Sequence, residues 1–348
     1  MGMERERSTK IDILKGLAII SVILLHSWDK PLLLWIGAPY LISQAVPIFI
    51  IIASYNGVSS YTRSNATTLV QCYNNIPRRL SRLLWPYLTI LMIEYLFIFV
   101  NLFKRNIVMA LALITGKSSD QIQTFIQATY SNPHVISFIV TGGYGPGSFF
   151  IPVLIPLLFT LPVLYLLARK NVMLMLFATF AIDMAFEVYA LESNMPDWIY
   201  RLLFIRYLFA FGLGIWLAYG IDRRWLAIGG TISIIYITAI NYAGYMPLAY
   251  PSWGSQNAIS FAWPLALVVI GLSINTNARF ISEIGKASYH IFLTQMVYFW
   301  AIGGVINTIS GASFIINIIV CVAIGLMFYY FPQVVTNEVK RQRHKSNQ

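Results

Sequence analysis

The sequence predicts an all-α integral membrane protein, a bundle of about ten transmembrane helices with both termini in the cytoplasm. Of its 348 residues, 58% are apolar and only 11% are charged, whereas a soluble domain carries about 25% charged residues. The mean hydropathy is +0.68, and apolar blocks close to the ~20 residues that cross a bilayer recur along the whole chain. These observations indicate one membrane domain over residues 1–348.

Ten segments have the length and the low charge of membrane spans. In chain order they are residues 13–34, 38–60, 84–103, 148–168, 172–191, 198–219, 225–243, 257–274, 286–307 and 312–332. With the N-terminus placed in the cytoplasm, 17 of the 24 Lys and Arg fall on the cytoplasmic side and 5 on the outer side. Because Lys and Arg gather on the cytoplasmic side of membrane helices, this asymmetry predicts the orientation.

The longest predicted connection, at about residues 104–147, is an outer loop, and residues 333–348 form a basic cytoplasmic tail. The loop ends in TGGYGPGSFF, residues 141–150. Its glycines either bring backbone close to a ligand or make a turn into the next span. Since topology accounts for the net charge of +11, we expect no nucleic-acid partner. Two cysteines and no metal-binding motif predict no metal and no bound cofactor.

The first span carries groups that hydrocarbon disfavours. Lys15 and His26 are eleven residues apart, so they share one helix face and lie about 16 Å apart along its axis. Asp12 lies near the same face at the cytoplasmic mouth. This stripe suits a long, thin, charged ligand entering from the cytoplasm. His26 is either a structural histidine satisfied within the bundle or a general base, the role that neutral imidazole takes near neutral pH.

Other ionisable residues lie within predicted spans, where they usually face a partner or a cavity. Asp183 and Glu187 share a helix face because they are four residues apart. Arg206 enters from the outer side to about the same depth, which favours a structural ion pair with one of them; the alternative is an acceptor cavity. Glu94 is a further candidate for such a cavity or pair.

Two arginines stand at an Arg-x-x-Arg spacing at the cytoplasmic edge of the third span. They are Arg79 and Arg82, within NIPRRLSRLLWPY, residues 75–87. Arginine binds phosphate through paired donors. The alternative is that they serve only the orientation of the helix.

The ordered set of motifs resembles the membrane-bound acyltransferase-3 family. DxLKGxAxxxVxxxH from Asp12 to His26 is similar to the family's first helix, in which ten residues separate a basic residue from a histidine. Arg79 and Arg82 match its cytoplasmic Arg-x-x-Arg, VPIF at residues 46–49 resembles VPLF, and GKASYHIFLTQ at residues 285–295 resembles the late G-x-x-SYxIYLxH signature.

Three positions depart from the family's pattern. Lys15 stands where arginine is commoner, Ala53 and Ser54 replace a Ser-Gly pair, and Gln295 replaces the late histidine. Lysine keeps the charge of arginine but loses its planar fork. The glutamine argues against a second catalytic histidine at that position, and His290 is displaced from it.

The resemblance implies an O-acyltransferase of the bacterial cytoplasmic membrane. An acyl group, in the first instance acetyl, would pass from cytoplasmic acyl-CoA to a hydroxyl of an envelope glycan or glycolipid. Lys15, Arg79 and Arg82 would hold the donor's phosphates, with Asp12 ordering the mouth, and His26 would act as general base or acyl relay. The alternatives are a transporter or flippase for a glycolipid-like substrate, and a sensor that keeps the fold without activity.

Overall fold

The computed structural model describes residues 2–114, 141–143, 145–246, 248–251, 253–303 and 313–346. Over these ranges the chain is helical and contains no strand. Its α-helices in chain order are α1 (Gly2–Ser27), α2 (Lys30–Trp35), α3 (Ala45–Arg63), α4 (Leu69–Tyr73), α5 (Ile76–Ile114), α6 (Phe150–Lys170), α7 (Val172–Glu192), α8 (Asp197–Leu202), α9 (Leu208–Tyr219), α10 (Arg223–Tyr242), α11 (Ala262–Ser273), α12 (Arg279–Lys286), α13 (Ser288–Tyr298) and α14 (Ser313–Ser346).

Six helical stretches in the described part of the chain are long and apolar enough to cross a membrane. They are Ala38–Arg63, Leu69–Phe97, Phe150–Lys170, Val172–Glu192, Arg223–Tyr242 and Ser313–Val334. Two shorter apolar helices, Phe204–Tyr219 and Ala262–Ser273, accompany them. The prediction of an all-α, multi-pass membrane protein is therefore confirmed. The total of about ten spans and the sides of the two termini stay predictions.

Two predicted spans are interrupted helices. Within 198–219, α8 ends at Leu202, and a 3₁₀ turn over Phe204–Tyr207 precedes α9. The break follows from Leu203, whose backbone is extended with ψ 119°. Within 286–307, α13 is followed by a π-helical turn over Phe299–Gly303, and residues 304–312 lie outside the described residues. A hydropathy pattern cannot show these breaks because the residues on both sides of them are equally apolar.

One other predicted helix end is wrong, and two predicted connections are partly helical. The first span was expected to reach residue 34, but α1 ends at Ser27 and Asp29 caps α2 by accepting a hydrogen bond from Leu32 N. The predicted outer loop was to begin at about residue 104, but α5 runs on to Ile114; residues 115–140 lie outside the described residues. The predicted tail is helical through Ser346 as the end of α14. In each case local helix capping or propagation, which hydropathy does not report, set the boundary.

The most extensive helix contact joins α1 to α12. A Cβ added at Gly285 would overlap the backbone of Asp12, and one at Gly16 would overlap the backbone of Ile281. Small residues let two membrane helices approach to backbone contact. This approach brings the Asp12–Lys15 end of α1 beside Lys286, the last residue of α12.

We expect Gly285→Ala to destabilise the protein by about 1–3 kcal/mol, because the added methyl meets backbone that cannot rotate away. Thermal unfolding of the purified protein in detergent measures the effect. Gly230→Ala in α10 is the matched control, since its Cβ would meet Ala266 Cβ at an ordinary 3.7 Å. Equal stability of the two variants would contradict the close approach of α1 and α12.

Candidate active site

A basic cleft of about 740 Å³ opens between α3, α5, α6, α12 and α13. Its cationic lining residues are Arg63, Arg78, Arg79, Arg82 and Lys286. Among the described residues, no acidic side chain lines the cleft. The cleft therefore presents several positive charges to whatever enters it, which suits a polyanionic ligand.

The cleft continues into an inner chamber of about 260 Å³ that is mainly apolar. The two spaces share the lining residues Ala53, Asn56, Leu83, Leu154, Lys286 and Tyr289. Tyr289 donates a 2.6 Å hydrogen bond to the Leu83 carbonyl at this junction and so joins α13 to α5. Beyond it, Phe49, Phe150 and Phe292 form much of the chamber, and Lys15 is among its lining residues. The surface thus changes from cationic to apolar along one connected path.

The structure brings Lys15, Arg79 and Arg82 to this connected path, although their sequence positions are far apart. Lys15 lies in the chamber and pairs with Asp12 at 2.6 Å. Arg79 is half-buried over the Tyr61 ring, at 4.8 Å from its centroid, and donates a 3.1 Å hydrogen bond to the Gly57 carbonyl. Arg82 is exposed in the cleft, and its Nε donates to the Arg78 carbonyl. Arg79 therefore also joins α5 to α3, whereas the hydrogen bond of Arg82 stays within α5.

Lys286 is a cleft residue that the sequence patterns did not single out from the other cytoplasmic cations. It lines both the cleft and the chamber, and it pairs with Glu283 at 2.7 Å. Hydrogen bonds from Lys286 and from the Tyr330 hydroxyl lower the pKa of Glu283, so this carboxylate is ionised at neutral pH. Its position in the GKASYHIFLTQ motif could have indicated this role, since it directly follows Gly285, which packs on α1.

His26 occupies the last turn of α1, further along this helix than Lys15. Its ring centroid lies 5.7 Å from that of Phe299, the first residue of the π-helical turn. Within the described residues, no hydrogen bond to the imidazole is present. Packing and the end of α1 therefore set the position of this side chain.

The glycine-rich segment before α6 packs between α5 and α13. Gly143 has φ 97°, and a Cβ there would overlap the carboxylate of Glu94, which is fully buried. Gln295 Nε2 donates a 3.3 Å hydrogen bond to the Pro146 carbonyl. Glu94 is not among the residues that line the cleft or the chamber. The segment is a turn into α6 whose glycines permit close contact with neighbouring helices.

The structure does not contain the predicted ion pair between Arg206 and Asp183 or Glu187 as a direct salt bridge. Among the described residues, the salt bridges within 4.0 Å are Lys15–Asp12 and Lys286–Glu283. Asp183 instead accepts a hydrogen bond from the Phe209 backbone N–H, in the first turn of α9. Glu187 accepts from the Tyr200 hydroxyl at 2.6 Å and from the Tyr250 N–H at 2.8 Å. One oxygen of Asp183 and both oxygens of Glu187 are thus hydrogen-bonded without Arg206.

Arg206 is fully buried in a cage of three aromatic rings. Its guanidinium carbon lies 4.6 Å from the Tyr200 centroid, 4.6 Å from that of Tyr207 and 4.3 Å from that of Trp253. Cation–π contacts of this kind stabilise a desolvated cation. The charge remains within electrostatic reach of both buried acids. The group is therefore a structural cluster centred on Arg206.

A separate polar cavity of about 410 Å³ lies at the end of the first span that is far from Lys15. Its lining residues include Leu25, Lys30, Ser43, Asn241, Trp253, Ser255 and Gln256. Two of them belong to the Arg206 cluster, since Trp253 forms one wall of the cage and Gln256 accepts a 2.7 Å hydrogen bond from Tyr207. Asp183, Glu187 and Arg206 do not line this cavity. Leu25 directly precedes His26 in the last turn of α1, so this turn of the helix borders the polar cavity.

Residues 8–331 match a family model, that of the acyltransferase domain of the acyltransferase-3 type. The matched region includes most of α1, the basic cleft, the chamber and the polar cavity. No curated protein and no solved structure gives a significant match.

Proposed function

Because the chain belongs to the acyltransferase-3 family, and is a multi-pass membrane acyltransferase, we propose that it moves an acyl group from cytoplasmic acyl-CoA to a hydroxyl of an envelope glycan or related acceptor. Acetyl is the group we propose in the first instance. The observation that carries the proposal is the path from a cationic cleft into an apolar chamber beside α1. We place the protein in the bacterial cytoplasmic membrane, with both termini cytoplasmic.

The two ends of coenzyme A match the two parts of this path. Its phosphates would lie among Arg82, Lys286 and the neighbouring arginines, where guanidinium groups can bind phosphate through paired donors. Its thin, uncharged pantetheine arm would enter the chamber between the phenylalanines. Lys15 would act there as a point charge, since an ammonium group has no fixed fork.

His26 would act on the acceptor hydroxyl. As general base it removes the hydroxyl proton while the oxygen attacks the thioester carbonyl; the new C–O bond forms, the C–S bond breaks, and the proton passes to the leaving thiolate. As acyl relay its nitrogen attacks the thioester first, and the acceptor hydroxyl then attacks the acyl-imidazole. Both routes yield the ester and free coenzyme A.

The polar cavity is our proposed acceptor site. Amide and hydroxyl side chains, here Asn241, Ser255 and Gln256, suit a hydroxyl-rich ligand, and Trp253 offers an aromatic surface beside them. Its place at the far end of the first span from Lys15 would let donor and acceptor approach His26 from opposite sides.

Two measurements test the proposed function. Purified protein with labelled acetyl-CoA should release coenzyme A and transfer label when an acceptor is supplied. Mass spectrometry of envelope glycans from cells with and without the protein should then show loss of one acetyl mass on one sugar. A transporter or flippase for a glycolipid would use the cavities without cleaving the thioester, so an intact donor under these conditions favours that alternative.

We expect Arg82→Ala to raise the donor KM about 10- to 100-fold, because a charge-assisted contact typically contributes ~1.5–3 kcal/mol. Arg79→Ala should raise the donor KM and also lower stability, since Arg79 holds the Gly57 carbonyl. Acyl-dephospho-CoA separates these effects: if an arginine binds the 3′-phosphate, its removal should hardly change the KM of this donor. Unchanged donor KM in both variants would exclude both arginines from donor binding.

The two lysines of the path are each paired with a carboxylate three residues earlier, Asp12 with Lys15 and Glu283 with Lys286. We expect Glu283→Gln to lower the donor KM by releasing Lys286, and Lys286→Gln to raise it. Both effects should shrink at high salt because the pair is exposed. Steady-state kinetics with varied acyl-CoA at two salt concentrations checks this, and changes of the same sign in both variants would refute it.

A further inference from the structure

A chain of buried hydrogen bonds joins three helices at Ser27, the residue that follows His26. Asn317 of α14 is fully buried, and its Nδ2 donates a 3.0 Å hydrogen bond to Ser27 Oγ at the end of α1. The hydroxyl of Tyr298, the last residue of α13, donates a 2.6 Å hydrogen bond to Asn317 Oδ1. Ser27 Oγ in turn donates to the Ile23 carbonyl at 2.7 Å. One asparagine thus ties α1 to α13.

Each of these two hydrogen-bond partners of Asn317 is adjacent in the chain either to His26 or to a residue that packs on His26. Ser27 follows His26, so its contact fixes the last turn of α1. Tyr298 precedes Phe299, whose ring packs on His26 at 5.7 Å and on Tyr298 at 5.3 Å. The π-helical turn begins at Phe299, and such turns are frequent at functional sites.

In a bilayer, buried hydrogen bonds of this kind determine how the helices are placed against one another. Buried polar groups find no water in hydrocarbon, so the hydrogen bonds between them fix which helix faces meet and at what depth. An apolar contact in the same place would tolerate a shift along the helix axis. A displacement of 1 Å in a reacting group can cost on the order of 100-fold in rate.

We propose that Ser27, Asn317 and Tyr298 are positioning residues that hold His26 at its working depth and orientation. The proposal rests on the proposed catalytic role of His26. It assigns no contact with either substrate to the three residues, so their loss should lower kcat and leave both KM values nearly unchanged.

The test uses the whole chain with Asn317→Leu, which nearly keeps the side-chain volume, and with Tyr298→Phe, which removes one hydroxyl. We expect kcat to fall on the order of 100-fold for Asn317→Leu and about tenfold for Tyr298→Phe, with donor and acceptor KM within twofold of wild type. Tyr236→Phe is the matched control, because the Tyr236 hydroxyl makes a buried 2.6 Å contact with Asn257, outside the His26 region. It should keep the wild-type kcat.

A second readout does not depend on catalysis. Carbethoxylation by diethyl pyrocarbonate, followed by mass spectrometry, gives the modification rates of His26 and His290. Both variants should change the rate at His26 while His290, packed against Phe328 and Tyr329, keeps its rate. If the Asn317→Leu protein does not fold, the kcat and the His26 modification rate of Tyr298→Phe test the proposal. Wild-type kcat and an unchanged His26 rate in the folded variants overturn the proposal, whereas full activity of His26→Ala overturns the proposed function instead.

Discussion

Replacing His26 by alanine is expected to abolish acyl transfer while the protein still folds. A positioned general base typically contributes 10²–10⁴-fold, so kcat should fall by about this factor. Stability should change little, because no described residue is hydrogen-bonded to the imidazole. The donor KM should also stay near wild type, since His26 does not line the basic cleft or the chamber.

The measurement is label transfer from acetyl-CoA by purified variants matched for thermal stability. His290→Ala is the control histidine variant and should keep kcat, because His290 packs among aromatic rings of α13 and α14. Near-normal transfer by a well-folded His26→Ala protein would remove His26 from the chemistry. Acid quenching of the wild type with labelled donor and no acceptor then separates the two mechanisms, since only the relay leaves label on the His26 peptide.

Replacing Arg206 by methionine is expected to have the largest effect on stability, about 3–5 kcal/mol, which is the range for removing a buried charge from its compensating partners. The variant keeps a long apolar stem inside the aromatic cage but loses the cation–π contacts and the positive charge near Asp183 and Glu187. Arg206→Lys should recover part of the loss, because it keeps the charge without the planar stack.

Thermal unfolding in detergent measures this effect, and Arg223→Met is the matched control because Arg223 is exposed. A double-mutant cycle with Asp183→Asn shows whether the arginine offsets the buried carboxylate without a direct salt bridge. A smaller cost of Arg206→Met in the Asp183→Asn background would support that coupling. Wild-type stability of Arg206→Met would contradict the cage as a structural centre.

Local patterns in the sequence were enough to place Lys15, Asp12 and His26 along one helix. Helical periodicity relates these residues directly, because all three lie on α1. The Arg79–Arg82 pair was likewise visible as a short motif at a helix edge. The ion pair of Arg206 was predicted from similar depth alone, and depth does not determine which side chains face one another.

What the sequence determined by itself is the all-α membrane class, the face that Asp12, Lys15 and His26 share, and the family. These properties depend on composition and on residue spacings within single segments, which the bilayer and the helix translate directly into structure. Only the tertiary structure decided that Lys286 joins the arginines in one cleft, that three rings cage Arg206, and that Asn317 reaches Ser27. These contacts link residues up to 290 positions apart, and they depend on helix breaks and close glycine contacts. Hydropathy carries no information about either, because it averages over the side chains whose individual shapes determine how helices pack.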